Sequence, residues 1–420
     1  MKNQLLRQLA QLAQLANQPT SQPTGHRYDT DTCCAWNWHP AKRFIASSLP
    51  DTPPIAIRHA WRLWSAVSRK RRAERETMTD IQTPPNGKDD DNPSTSGRFN
   101  YLDSSVAGSL YRNGAVLVRR DADGSDNGFQ GLVLQEQSMT VHDARAGDAK
   151  ERPTLLANGF ELLARPLGRP ESGELDFFNH RDVTQTYYSE CADIIQEATG
   201  AAFVAAFDHN VRSAVGKRGK RRIQGGQQVQ GPAHMAHGDY TLTSGPDRLR
   251  QLAADPSIND TLSSVLGPGE TLLEAQRVAR ATDENGRFAI INLWRSIAKE
   301  PVATHPIALC DAQTVKPEDL VVFELHYQDR IGENYFAKHA SRHNWYYYPA
   351  MTRDEALLIK QWDSAGALAR SKGQLADSSD SHDPDSPCTF SFHSAFDDPS
   401  TPADAPERLS IEVRCVVLYE

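Results

Sequence analysis

The chain has 420 residues, with 46 Lys plus Arg against 54 Asp plus Glu and a formal net charge of −8. That balance gives no whole-chain signature of a nucleic-acid binder. No apolar run approaches the roughly 18 residues of a membrane span. Six scattered cysteines make no disulfide scaffold and point to a reducing, cytoplasmic setting. With 39% apolar residues, a chain of this length can still bury one large core.

Residues 1–17 place Leu5, Leu9 and Leu12 at helical spacing, which predicts a short amphipathic helix. Residues 55–76 predict a second helix, apolar at first and then basic, whose plainest role is a solvated helix end. Residues 79–98 are Pro-, Gly-, Asp- and Ser-rich and read as a disordered linker, because they cannot bury enough surface to offset their ordering entropy. Met78 stands just before it as a candidate start codon. We therefore expect an N-terminal extension over 1–97 and one functional domain over 98–420.

Within that domain, 106–119 and 130–143 alternate apolar and polar residues and predict strands. Residues 182–198 predict a helix ended by Gly200. Strands are expected at 203–212, 287–297 and 319–327, after a turn within 352–363, and from Ser410 to the end. Residues 215–231 and 367–388 read as exposed loops and candidate lids. Many strands with a few helices predict a mainly β fold, a barrel or jelly roll with helical additions.

The chemistry centres on His237-Gly238-Asp239. Residues two apart on a strand share a face, so the imidazole and the carboxylate can share a metal. A non-haem Fe(II) site needs two imidazoles and one carboxylate, with three positions left open. His393, far downstream, is the preferred third ligand, with His343 and His339 as alternatives. His234 falls on the opposite strand face from His237 and reads as a supporting residue. Arg408 and Arg414 follow His393, and a guanidinium on a late strand can fork onto a distal carboxylate. Arg414 is preferred because it lies inside the strand, Arg408 supports it, and Arg295 is a third candidate. Strand parity decides whether Arg295 or its alternating neighbours Asn292 and Trp294 face the pocket. Tyr240 and Thr241 could reach a cosubstrate, and Trp345 to Tyr348 read as core, with Tyr346 a weak substrate contact.

Six stretches keep the order of one known family: GAAFVAAFDHNVRS (200–213), AHGDYT (236–241), RFAIINLWRSI (287–297), PIALCDAQTV (306–315), HNWYYYPAMTRDEALLIKQWDS (343–364) and HSAFDDPSTPADAPERLSIEVR (393–414). From about Gly108 onward the chain resembles the CmcJ/AsaB-type hydroxylase/desaturase family of bacterial and fungal secondary metabolism. Gly238 and Ser296 depart from the family pattern, and residues 1–97 have no counterpart in it. The resemblance implies a double-stranded β-helix that uses Fe(II), dioxygen and 2-oxoglutarate to hydroxylate or desaturate a C–H bond of a small secondary-metabolite substrate. It implies His237, Asp239 and His393 as iron ligands. A second reading is a non-catalytic or partner-dependent component of a two-protein oxygenase, since the family includes one such component. A cupin-like hydrolase or isomerase and a DNA binder acting through 55–76 are weaker readings. No nucleic acid and no membrane are expected as partners.

Overall fold

The computed structural model describes residues 93–120, 126–147, 152–168, 175–257, 260–327, 331–379 and 385–419. The helices expected at 1–17 and 55–76, Met78 and the linker up to residue 92 lie outside them. The expected linker does not reach residue 98: strand β1 (Ser94–Leu102) starts inside it and pairs antiparallel with β4 (Leu134–Asp143) along its whole length. Backbone hydrogen bonds let this polar run join the sheet while its later residues Phe99, Tyr101 and Leu102 enter the core.

Two sheets make up the body. The larger holds β1, β2 (Leu117–Arg120), β3 (Asp126–Gln130), β4, β7 (His237–Gly238), β9 (Ile307–Cys310), β10 (Leu320–His326), β11 (Ile331–Ala337), β12 (Trp345–Tyr347) and β14 (His393–Ala395). Its order is β1-β4-β12-β9-β14-β7-β11-β10-β2-β3. The smaller holds β5 (Phe160–Ala164), β6 (Phe203–Arg212), β8 (Arg287–Ser296), β13 (Glu355–Asp363) and β15 (Ser410–Tyr419), in the order β5-β13-β8-β15-β6. Neighbours run antiparallel except β2 with β10 and β4 with β12. This is the jelly-roll core that the sequence predicts.

The strands predicted from apolar content appear close to their expected limits at β6, β8, β10, β13 and β15. The run 106–119 becomes a strand only from Leu117. Gly114 there takes a φ of 69°, and the Asn113 and Gly114 amides donate to the Glu324 carboxylate instead of to a neighbouring strand. Polar β3 carried no sequence signal. The helix α1 spans 180–199, includes a π-helical turn at Val183–Tyr187, and ends at Gly200, whose φ of 66° suits glycine. Its Val183, Tyr187, Cys191, Ile194 and Ile195 pack on Ile291, Leu293, Val413 and Cys415 of the smaller sheet.

Side chains alternate along β8. Ala289, Ile291 and Leu293 face helix α1, whereas Trp294 packs between the sheets with Leu309, Leu357 and Ile359. Leu293 is fully buried in the helix-facing layer. We expect Leu293→Ala to destabilise the fold by about 3 kcal/mol. It should lower the denaturant midpoint without changing the slope of the transition.

Candidate metal centre

His237 and His393 are direct partners across the antiparallel pair β7–β14. Opposed residues share a sheet face, and the two ring centroids lie 4.2 Å apart. Asp239 joins them with its Oδ1 3.6 Å from His237 Nε2 and 3.9 Å from His393 Nε2. All three side chains are buried, and His237 Nε2 and Asp239 Oδ1 have no hydrogen-bond partner. His237 Nδ1 lies 2.7 Å from the Met235 carbonyl, to which it donates, so the lone pair stands on Nε2. Buried polar atoms are rarely left bare. Bare His237 Nε2 and Asp239 Oδ1, with His393 Nε2 facing the same oxygen, are a donor set for a divalent metal, and two imidazoles with one carboxylate suit Fe(II).

The rest of the centre holds these donors in the ligating state. Burial, reinforced by the neighbouring His393, pulls His237 down to about 3. Burial pulls His393 down to about 4. Burial pushes the Asp239 carboxyl up, but Arg414 and the two imidazoles outweigh it and keep the carboxyl below its usual range. The second oxygen of Asp239 accepts hydrogen bonds from Asn292 Nδ2 at 3.1 Å and Arg414 Nε at 3.3 Å. The Asp239 amide donates to Gln361 Oε1 at 3.2 Å. One carboxylate oxygen is thus fixed and the other left free.

His343 and His339 lie elsewhere. His343 bridges Asp319 (3.1 Å) and the Tyr101 hydroxyl (3.3 Å), and His339 packs edge-on against Tyr101. Trp345 donates to the same Tyr101 hydroxyl at 2.7 Å, and the Tyr346 hydroxyl accepts from Asn344. Thr241 is buried and donates to Glu333, whereas Tyr240 lines a cleft beside Asp239.

The three arginines separate by strand face. Arg295 points away from the centre: its guanidinium donates to the Tyr187 hydroxyl (2.8 Å) and the Arg165 and Arg353 carbonyls, and pairs with Glu190. Parity gives the inner face to Asn292, Trp294 and Ser296 instead. Arg414 is at the centre but already engaged, by Asp239 and by Asp208 at 2.7 Å. Arg408 differs from both. It donates to the His305 carbonyl and lies over the Trp294 ring, while its buried Nε has no partner. Burial and nearby Arg212 pull it down to about 9, although Glu412 opposes them. Ser410 and Ser296 are direct cross-strand partners, and both buried hydroxyls are unpartnered. The serines were not singled out as ligands from the sequence. The available signal was spacing: Ser410 follows Arg408 by two and so shares its face.

The comparisons with known proteins agree with this architecture. Residues 99–267 and 269–418 match the family model described as an oxidoreductase/YMDC permease-like domain. The chain belongs to that family. Within it, the chain is 43% identical over 198 residues to an uncharacterised protein in the dcmA 3′ region of Methylophilus leisingeri, covering 47% of this chain and 88% of the relative. It is 25% identical to the hydroxylase/desaturase efuI of Hormonema carpetanum, over 78% of this chain and 96% of the relative. It is 28% identical to the Fe(II)/2-oxoglutarate-dependent dioxygenase nvfI of Aspergillus novofumigatus, over 67% and 84%. The solved structure of the iron and alpha-ketoglutarate-dependent endoperoxidase NvfI superposes with a TM-score of 0.55 at 19% identity, covering 78% of this chain and 98% of that one. The names of efuI and nvfI carry the hydroxylase/desaturase and Fe(II)/2-oxoglutarate chemistry that the family resemblance implied. No helix among the described residues is long and apolar enough to cross a membrane.

A cleft open to solvent reaches Asp239 and Arg414. Its other walls include Phe207, Asp208, Tyr240, Arg248 and Glu333. Among the described residues, the segments 215–231 and 367–388, expected as lids, contribute no lining residue to it.

Two outcomes follow from this geometry. Asn292→Ala removes one of the two hydrogen bonds that fix the second oxygen of Asp239 and should weaken Fe(II) binding by roughly 10–100-fold in an anaerobic titration. The metal-free protein should also lose stability on acidification. His237, His393 and His209 (the last also pulled down to about 3 by burial) stay neutral when folded. The unfolded chain binds protons below pH ~6.5, so stability is full above that value and falls as pH drops toward about 4. Each group contributes a slope of about 1.4 kcal/mol per pH unit. Chemical denaturation at a series of pH values reads it, and a flat profile over that window would contradict the neutral-imidazole assignment.

Proposed function

We propose that this protein is a non-haem Fe(II)/2-oxoglutarate-dependent oxygenase that hydroxylates or desaturates a C–H bond of a small secondary-metabolite substrate, with His237, Asp239 and His393 as its iron ligands. The observation that carries the ligand assignment is the convergence of donor atoms from these three buried residues, with His237 Nε2 and Asp239 Oδ1 left without a hydrogen-bond partner. When bound, iron would activate dioxygen as the oxidant, with 2-oxoglutarate giving two electrons as it is decarboxylated and the substrate C–H bond giving the other two.

The chain's residues do the positioning. Arg408, with Ser410 and Ser296, seats the distal carboxylate of 2-oxoglutarate. The reading rests on a buried guanidinium short of an anion and on two serine hydroxyls with no partner. Arg414, preferred from sequence, instead orients Asp239, because two carboxylates already occupy its guanidinium. Substrate enters by the cleft beside Tyr240 and Asp208, whose polar walls suit a molecule with hydrogen-bonding groups.

Anaerobic addition of Fe(II) and then 2-oxoglutarate should give the weak visible charge-transfer band of the chelate. His237→Ala should abolish it. Arg408→Ala should raise the 2-oxoglutarate concentration for half-maximal band by about 100-fold at unchanged iron affinity. Arg414→Ala should chiefly weaken iron binding. No band in folded, iron-loaded wild-type protein would remove 2-oxoglutarate from the function, and a reversed pattern between the two arginine variants would return the clamp to Arg414.

A further inference from the structure

Among the described residues, a second set of two imidazoles and a carboxylate comes together: His234, His305 and Asp397. His234 Nε2 lies 3.1 Å from His305 Nδ1 and 3.3 Å from Asp397 Oδ1, and His305 Nδ1 lies 3.0 Å from the same oxygen. Ligands at about 2.0–2.2 Å from a divalent ion lie roughly 2.8–3.6 Å apart for angles between octahedral and tetrahedral. All three separations fall in that range. With no cation, both imidazoles can donate to Oδ1, and the 3.1 Å contact between the two nitrogens then has no hydrogen bond of its own. The two rings are nearly perpendicular, at 89°, so their nitrogens approach from different directions.

We propose that His234, His305 and Asp397 bind a zinc-class divalent cation, with water completing its coordination. Two imidazoles and one carboxylate are a borderline donor set of the kind zinc takes. The His234 side chain is buried, whereas those of His305 and Asp397 are 35% and 46% exposed, which leaves a path for the ion and room for water. The other oxygen of Asp397 faces Arg98 at 3.6 Å, so Oδ1 is the one offered to the cation. His305 holds a φ of 47°, a left-handed backbone unusual outside glycine. Such strain persists where the surroundings enforce it, and here the strained residue supplies a corner of the cluster. The cation would join three segments: the one before β7, the one before β9 and the one after β14. It would also fix the residue whose carbonyl accepts from Arg408.

The test uses the full-length, metal-stripped protein titrated with Zn²⁺ by calorimetry, with bound metal counted by plasma mass spectrometry. Wild type should hold two equivalents, one in each cluster. His237→Ala should hold one, and adding His305→Ala or Asp397→Asn to it should leave none. The proposal is overturned if His237→Ala binds no zinc. It is equally overturned if the folded double variants keep the zinc that His237→Ala holds. Should both added substitutions prevent folding, the Co²⁺ spectrum of His237→Ala decides: intense bands of a low-coordinate nitrogen-ligated ion support the site, and the spectrum of the aqua ion refutes it.

Discussion

Buried charge must be balanced within the barrel, and the centre of this protein is arranged around that requirement. Three guanidinium groups, Arg212, Arg408 and Arg414, are buried together with the carboxylates of Asp239 and Glu412, and Asp208 stands at the edge of the cleft. Removing one member leaves an uncompensated charge in a medium that solvates it poorly. The distribution is uneven even though the signs match in number. Arg414 has two carboxylates in contact, whereas Arg408 has a backbone carbonyl and an unpartnered Nε. A dication among His237, Asp239 and His393 together with a dianion against Arg408 would leave the total unchanged and correct the distribution. Iron and oxo-acid binding are therefore electrostatically complementary, and each should favour the other.

The two sheets meet at this centre. His237 and His393 belong to the larger sheet, whereas Asn292 and Arg414 stand opposite each other on β8 and β15 of the smaller one. Asp239 is the contact between them, with one oxygen turned to the imidazoles and the other to the Asn292 amide and the Arg414 guanidinium. Glu412 extends the link by accepting from Asn292 at 2.5 Å and lying 3.9 Å from Arg212. The ligand carboxylate is thus set by inter-sheet packing as much as by its own strand.

Much of this was legible in the sequence, and the exceptions have physical causes. The His-x-Asp motif announces a shared face because strand geometry has period two. Strands β6, β8 and β15 are apolar enough to be read directly. Polar β1 was not, since backbone pairing rather than side-chain burial holds its polar residues. The proposed division of roles among the arginines rests on contacts beyond local pattern. It turns on Asp208 reaching Arg414 from β6, on helix α1 bringing Glu190 and Tyr187 to Arg295, and on Ser296 lying opposite Ser410. Each of those is a contact between segments far apart in the chain. Arg295 illustrates the point most simply: one step of parity moves it from the pocket to the helix interface.

The strands that carry the imidazoles are themselves short. β7 has two residues and β14 three, too few ladder bonds to fix a ligand within a fraction of an ångström. The flanks make up the difference. The Ala395 amide donates to Ala233, Phe396 to Pro306, and Cys310 to Phe392, tying the segments around β7, β9 and β14 to one another. His234 and Asp397 lie just beyond the two ligand histidines in sequence, and His305 belongs to the segment that leads into β9. A cross-link among those three side chains acts at the ends of the two short strands, where lateral slippage would begin. Rigidity at the proposed iron ligands is then a property of the flanking segments, and loosening these flanks should degrade the candidate metal centre without touching any of its donor atoms.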